Sequence, residues 1–301
     1  MERVIKPVLK WVGGKTQILE EVLALFPEEM ANYHEPFLGG GSVLLALLAS
    51  VEAGTRTIYG TVYAGDLNPN LIALYKNIQS RPDEFIQETR ALIEAFSKCA
   101  GSVVNRKPTT DEEATTSPES YYYWVRAKFN ALKGAERHGA AASAMMLFLN
   151  KTCFRGVYRE NRGGGFNVPY GNYKDPSILE EAHIREVSRL LRGVIFRCCG
   201  FAEALADVGD GDFVYLDPPY APENETSFVS YTAGGFGLEE HKELFRLSKS
   251  IQGSMLMSNA DVPLVTEAFP GPAYTTKKIS CRRAIHSKEP DARTNEVLIR
   301  N

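Results

Sequence analysis

Cysteine is sparse in this chain, and the few that occur are not grouped. Cys99, Cys153, Cys198, Cys199 and Cys281 include no CxxC pair and no disulfide-like spacing. An odd count of this kind predicts reduced, intracellular thiols, with no metal site among them. Cys198 and Cys199 are expected to fill strand positions. Positive charge is not in excess either: the net charge is -3. That excludes a protein that coats nucleic acid along its whole surface, although a local basic patch is still allowed. Long apolar runs are missing too. None approaches the roughly 20 residues needed to span a bilayer, and the longest, residues 43–49, reads as a short helix. Residues 1–6 lack the apolar stretch of a secretory signal.

The chain does have an ordinary core-forming composition. A hydrophobic fraction of 44% over 301 residues is enough to bury a core without covalent staples. Residues 16–26 place Ile18, Val22, Leu23, Leu25 and Phe26 at helical spacing, and Pro27 closes the segment. Residues 32–37 are extended and run into Gly39-Gly40-Gly41, after which Ser42 opens a helix. A second short strand, residues 61–65, delivers Asp66, and Asn68-Pro69 starts the next helix. Strand, glycine turn, helix, strand and acid form the opening of a doubly wound α/β domain.

The rhythm changes near residue 81. Phe85, Thr89, Leu92 and Phe96 share a helical face. Residues 101–120, rich in Thr, Ser, Pro and acids, predict a solvated linker or disordered loop. Helices are expected at 121–132 and 140–149. Strand and helix then alternate again: strands at 194–198, 212–216, 254–257, 273–279 and 296–299, helices at 201–206 and 238–250. The expected organisation is an α/β domain split between residues 1–79 and 176–301, with a mostly helical insertion at 80–175.

The strongest chemical signal is Asp217-Pro218-Pro219-Tyr220 at the end of an apolar strand. Open α/β sheets bind ligands at that end. Two prolines fix the backbone and remove two N–H donors, so the carbonyls there face a ligand as acceptors. The Asp217 carboxylate and the Pro218 carbonyl suit an exocyclic amine. Accepting both of its protons draws the lone pair out of ring conjugation for in-line attack on a methyl sulfonium. Tyr220 offers a flat face for stacking a base. A Pro-rich turn with a capping Asp is the bland alternative.

Two glycine segments are weaker on their own. Glu35-Pro36-Phe37-Leu38-Gly39-Gly40-Gly41 lets a ligand approach the backbone, but it lacks the third glycine of a dinucleotide fingerprint, because Leu44 stands there. Asp66 sits where α/β folds bind ribose hydroxyls, or it caps the helix at Asn68-Pro69. Gly14-Lys15-Thr16 resembles the end of a phosphate loop, yet Leu9 occupies the position of its first glycine, so that reading is rejected. Trp11 is left as either an adenine-packing or a core residue. Lys15 either pairs with a carboxylate or stays in solvent.

Residues 151–173 are Gly-rich and aromatic. Lys151, Arg155, Arg159, Arg162 and the adjoining Lys174 stand against the single acid Glu160, five minus one, or +4. Such a segment reads as a nucleic-acid-contacting loop or hairpin, with arginines on phosphates or guanine and Phe154 or Tyr158 as a wedge between bases. A solvated basic loop is the alternative. Lys277, Lys278, Arg282, Arg283 and Lys288 form a second basic stretch that would hold phosphates.

In this order, the segments resemble the DNA adenine methylase family, the α class of amino-methyltransferases. The matching pieces are residues 9–15, 35–43, 66–68, 150–173 with Phe166-Asn167-Val168-Pro169-Tyr170-Gly171, and 217–222, with weaker echoes at Ser258-Asn259 and Arg282-Arg283. The resemblance implies an α/β, class I S-adenosylmethionine-dependent methyltransferase fold with an inserted target-recognition domain. It places Trp11, Lys15, Asp66 and Asp217 at the cofactor, lines that pocket with Phe37, Gly39 and Gly41, and stacks Phe201 on the cofactor adenine. It implies a flipped adenine held by Asp217, Pro218 and Tyr220. It also brings Lys10, Phe154, Arg155, Val157, Arg159 and Asn161 to double-stranded DNA, and it implies no metal. A monomer is expected, with its oligomeric state not read from the sequence, in the cytoplasm or another DNA-containing intracellular compartment.

Three departures touch recognition and leave the chemistry alone. Arg155 stands where relatives usually carry Asn, the linker at 109–119 is long, and Gly163-Gly164-Gly165 replaces a charged run. The family's commonest target is GATC. Methylation of RNA or of a protein amide is the related rival, and Asp217 speaks against the latter, whose enzymes carry Asn-Pro-Pro-Tyr. A regulator that kept the fold and lost catalysis is the distant rival, and the intact Asp217 speaks against it.

Overall fold

The computed structural model describes residues 5–222, 235–282 and 293–301. Along the chain run α1 (Leu19–Leu23), β1 (Glu29–Met30), β2 (Tyr33–Glu35), α2 (Ser42–Glu52), β3 (Thr57–Ile58), β4 (Val62–Gly65), α3 (Pro69–Ser80) and α4 (Pro82–Ser97). There follow α5 (Asp111–Ala114), α6 (Pro118–Ala131), α7 (Ala140–Thr152), α8 (Glu181–Leu190), β5 (Ile195–Arg197), α9 (Phe201–Leu205) and β6 (Phe213–Leu216). The last elements are α10 (Leu238–Ser248), β7 (Ser254–Ala260), α11 (Pro263–Thr266), β8 (Thr275–Arg282) and β9 (Arg293–Arg300).

Seven strands form one sheet in the order β5-β4-β2-β6-β7-β9-β8. The first five run parallel, and β9 enters antiparallel between β7 and β8. The direction of winding reverses between β2 and β6, so a crevice opens beyond their carboxyl ends, with β4 next in line. Alternation sends Phe213 and Tyr215 into one buried cluster, and Val214 and Leu216 into another on the opposite face. β1 and β3 pair separately.

Local chemistry explains the element starts. Asn68 precedes α3, and its side chain accepts from Asn70 N and Leu71 N, while Pro69 takes the first helical position. Ser117 caps α6 in the same way. Helices α4, α6 and α7 pack on one another, and α7 packs on α3. The large core cluster therefore runs from the sheet into these helices without a break.

Several expectations are corrected. The 101–120 stretch is ordered: α5 forms there, Ala114, Ser117 and Ser120 are buried, and Asn105 N donates to Ser120 Oγ at 2.8 Å. Its polar side chains bond to their own backbone, which composition alone reads as solvation. The first helix is shorter than 16–26, because residues 15–18 lead into α1 as a turn. Cys198 and Cys199 lie beyond the end of β5, and Cys198 is exposed. β1, β3, α8 and α11 were not foreseen; the strand pieces are two residues long and carry no readable period. No helix among the described residues is long and apolar enough to cross a membrane.

Candidate active site and nucleic-acid interface

The crevice is floored by the glycine turn after β2. Gly39 and Gly41 take left-handed backbone at φ 50 and 68. At Gly41 an added Cβ would meet Tyr75 Oη at 2.8 Å, so only glycine fits there. Tyr75 donates to Gly40 O at 2.6 Å, and Trp11 lies against Gly39 and Gly40 from the other side. Asp66, past the end of β4, accepts from Gly39 N at 3.0 Å and Asn68 N at 2.9 Å. Asp66 therefore braces the turn, and the capping of α3 is left to Asn68. Burial raises its pKa, with the backbone donors opposing. Phe37 and Phe201 stack at 5.9 Å, and Phe236 stands edge-on to Phe37.

At the end of β6 the tetrapeptide is held residue by residue. Lys15 Nζ lies 2.7 Å from Asp217 Oδ1 and donates to Gly13 O at 2.7 Å. Lys15 is only 5% exposed, so the solvent reading of this lysine is excluded. His241, on α10, lies 3.1 Å from Pro219 O through Nε2. Tyr220 donates through its hydroxyl to Glu296 Oε2 at 2.8 Å. Asn259, at the end of β7, accepts from Ala221 N at 3.0 Å. Below, Tyr215 and Ser258 share a hydroxyl–hydroxyl bond of 2.8 Å.

Burial pushes the Asp217 carboxyl up to about 6, against the pull of Lys15 and with a further push from Glu296. It is thus mostly ionised at neutral pH, with Oδ1 engaged by Lys15. Glu35, at the end of β2, is pushed up to about 8 by burial, although Tyr33 donates to it at 2.7 Å. At neutral pH Glu35 is mostly protonated and adds little charge beside Asp217.

Residues 152–171 form a hairpin, with bridges at Cys153–Tyr170 and Glu160–Phe166. Helix α6 fastens its backbone: Asn130 donates to Phe166 O at 3.0 Å and accepts from Phe166 N at 2.8 Å, and Tyr122 donates to Val168 O at 2.7 Å. Buried Asn150 ties the hairpin to the N-terminal segment, accepting from Lys10 N and donating to Lys10 O and Gly156 O. Phe154 is 50% exposed, and Arg155, Arg159 and Arg162 are exposed beside it.

Residues 11–285 match the family of D12 class N6 adenine-specific DNA methyltransferases. The chain belongs to this family. It is 35% identical to the Type II methyltransferase M.MjaIII of Methanocaldococcus jannaschii, covering 99% of each chain. It is 31% identical to the DNA adenine methylase of Haemophilus influenzae, over 96% of this chain and 90% of the relative. With the DNA adenine methylase of Escherichia coli K12 the identity is 30%, over 93% and 88%.

This adenine-specific DNA methyltransferase has the class I fold, and its family implies S-adenosylmethionine as methyl donor in general. The expected site residues fall into two groups. Lys15, Phe37, Gly39, Gly41, Asp66, Phe201, Asp217, Pro218 and Tyr220 gather at the crevice. Trp11 bridges the groups, touching the glycine turn and stacking on Tyr158 at 5.4 Å. Lys10, Phe154, Arg155, Val157, Arg159 and Asn161 belong to the hairpin side. Lys10 Nζ sits 4.8 Å from the Tyr173 ring centre, and Asn161 is spent on the turn, accepting from Gly163 N and Gly165 N.

The wedge role fails for Tyr158. It is half-buried, and its hydroxyl donates to Glu160 and accepts from Asn70. Arg155 has φ 58, a left-handed backbone that Asn adopts far more readily, which accounts for the Asn expected there. In the second basic stretch Lys278 pairs with Asp261 at 2.8 Å, and Arg283 and Lys288 lie outside the described residues. His241 and Glu296 were missed, because nothing local marks either as a neighbour of the tetrapeptide. Asn259 left only the faint signal of Ser258-Asn259.

Proposed function

We propose that this methyltransferase modifies N6 of adenine within a short double-stranded DNA sequence, of the GATC kind, after flipping the adenine out of the duplex. The observation that carries this reading is the placement of Asp217-Pro218-Pro219-Tyr220 at the switch point of the sheet, beside the glycine turn and Lys15.

The residue types around the glycine turn support a site for the methyl donor. A turn that only glycine can make, an acid at the end of the neighbouring strand and two stacked phenylalanine rings suit a nucleoside bearing a charged tail. Trp11, Lys15, Phe37, Gly39, Gly41, Asp66, Phe201 and Asp217 are the residues assigned to hold it. When bound, S-adenosylmethionine supplies an electrophilic methyl group. The chain's own part is to place the amine. Asp217 accepts a hydrogen bond from one amino N–H and the Pro218 carbonyl from the other, which frees the nitrogen lone pair from the ring. As the nitrogen takes the methyl group it sheds one proton, for which Asp217 is the adjacent base. Tyr220 stacks on the base. The buried surroundings strengthen each of these bonds relative to water.

The hairpin supplies the DNA contact, with Lys10, Arg155, Val157, Arg159 and Asn161 near the bases and Phe154 filling the stack left by the flipped adenine. Residues 80–175 act as the recognition domain, set into a catalytic domain of residues 1–79 and 176–301. Single-molecule sequencing of DNA from cells expressing the chain tests the reading. N6-methyladenine in one fixed context is expected, and cytosine modification or no modification overturns it.

A further inference from the structure

We infer that Glu296 is a positioning residue: it sets the orientation of the Tyr220 ring, and with it the face on which the target base stacks. The inference rests on the reading that the tetrapeptide receives that base.

Three observations converge. First, the Tyr220 hydroxyl donates to Glu296 Oε2 at 2.8 Å. A tyrosine side chain turns about two bonds, and its hydroxyl lies on the axis of the second, so anchoring it fixes where the ring points. The ring plane follows because the phenolic O–H prefers to lie in that plane when it donates, with Lys15 against one face. A carboxylate acceptor makes that anchor charge-assisted, roughly twice as strong as a neutral one. Second, the Lys15 ammonium lies 4.8 Å from the centre of the same ring. One face of Tyr220 is thereby taken, and an incoming base is left the other. Third, Glu296 is delivered by β9, opposite Ala260 of β7, whose preceding residue Asn259 holds the Ala221 amide. Ring and backbone are thus set by adjoining, hydrogen-bonded strands.

Glu296 also acts on Asp217. Its charge pushes the Asp217 carboxyl upward, opposing Lys15. A glutamine at 296 still accepts the tyrosine hydroxyl but carries no charge, so it separates orientation from electrostatics. A residue that only tied β9 to the loop for stability would not produce either signature described next.

The experiment uses the full chain, duplexes of the sequence it methylates, and a second set with 2-aminopurine in place of the target adenine. Glu296→Ala and Tyr220→Phe each are expected to lower kcat/KM for DNA about tenfold, and the double variant is expected to fall no further, because both remove one bond. KM for S-adenosylmethionine is expected to stay within about twofold, since the effect is on the base and not on the cofactor. Both single variants should change the fluorescence of bound 2-aminopurine in the same direction. Glu296→Gln should recover most of the lost rate and move the acid limb of the pH–rate profile to lower pH.

Multiplicative losses in the double variant would overturn the inference, as would unaltered 2-aminopurine fluorescence or a glutamine variant no more active than the alanine one. If Glu296→Ala does not fold, the glutamine variant and Tyr220→Phe still decide the matter. Failure here is distinct from failure of the functional reading. That reading falls if Asp217→Ala still methylates DNA, whereas independent Glu296 and Tyr220 effects in an enzyme killed by Asp217→Ala sink only the present inference.

Discussion

At the end of β6, side chains from the N-terminal segment, α10, β7 and β9 each hold a different part of one short loop. In the hairpin of residues 152–171 the fastening falls mainly on the backbone. There Asn130, Tyr122 and Asn150 hold backbone groups, and the arginines and Phe154 are left outside. The first region fixes side chains together with their backbone, whereas in the second the fastening falls mostly on the backbone, with Arg159 steadied by Asn167 at 2.8 Å. Chemistry on an amine needs acceptors placed to a fraction of an ångström. Reading DNA needs side chains that can reach and adjust over a firm base.

The largest expected effect breaks the first region alone. On the proposed function, Asp217→Ala removes an acceptor of the target amine and should cost about 10³-fold in methyl transfer, while DNA binding in a gel-shift assay survives. Arg159→Ala should do the reverse, keeping turnover on the best site and loosening sequence choice; an unaltered genome-wide methylation pattern would remove Arg159 from recognition.

Next comes Asn150, whose amide serves Lys10 and Gly156 together. Asn150→Ala leaves buried backbone groups without a partner and should cost about 2–3 kcal/mol in denaturant unfolding. Loss of less than about 0.5 kcal/mol would show that water replaces the amide fully.

Glu35 gives a pH signature. Its folded pKa of about 8 lies above the ordinary value of 4.5, so its contribution to stability is complete below the unfolded pKa and is lost as pH rises toward the folded one. Stability should therefore decline between about pH 5 and 8, and Glu35→Gln should flatten that slope and gain about 1–3 kcal/mol at pH 8. Parallel Tm–pH curves for the two proteins would refute it.

The smallest effect is at Arg155. Arg155→Asn relieves a left-handed backbone and should add about 0.5–1 kcal/mol, with a shift in preferred flanking bases visible by sequencing. An Asn variant less stable than the parent would mean the arginine earns its strained position through contacts of its own.

Much of this molecule was legible in order along the chain. Hydrophobic period, proline and glycine located the main helices and strands, because those signals depend on neighbours a few residues apart. The place of Asp217 to Tyr220 at the end of an apolar strand was legible for the same reason: acid, prolines and ring stand in one run. The 101–120 stretch misled, since composition cannot tell a side chain bonded to its own backbone from one bonded to water. What only the tertiary structure decided is which groups surround that run. Lys15 reaches Asp217 from the other end of the chain, and Glu296 reaches Tyr220 because β9 turns antiparallel and settles in one register against β7. Register and strand order follow from burying both faces of the sheet at once, a condition on the whole chain that no short window of sequence contains.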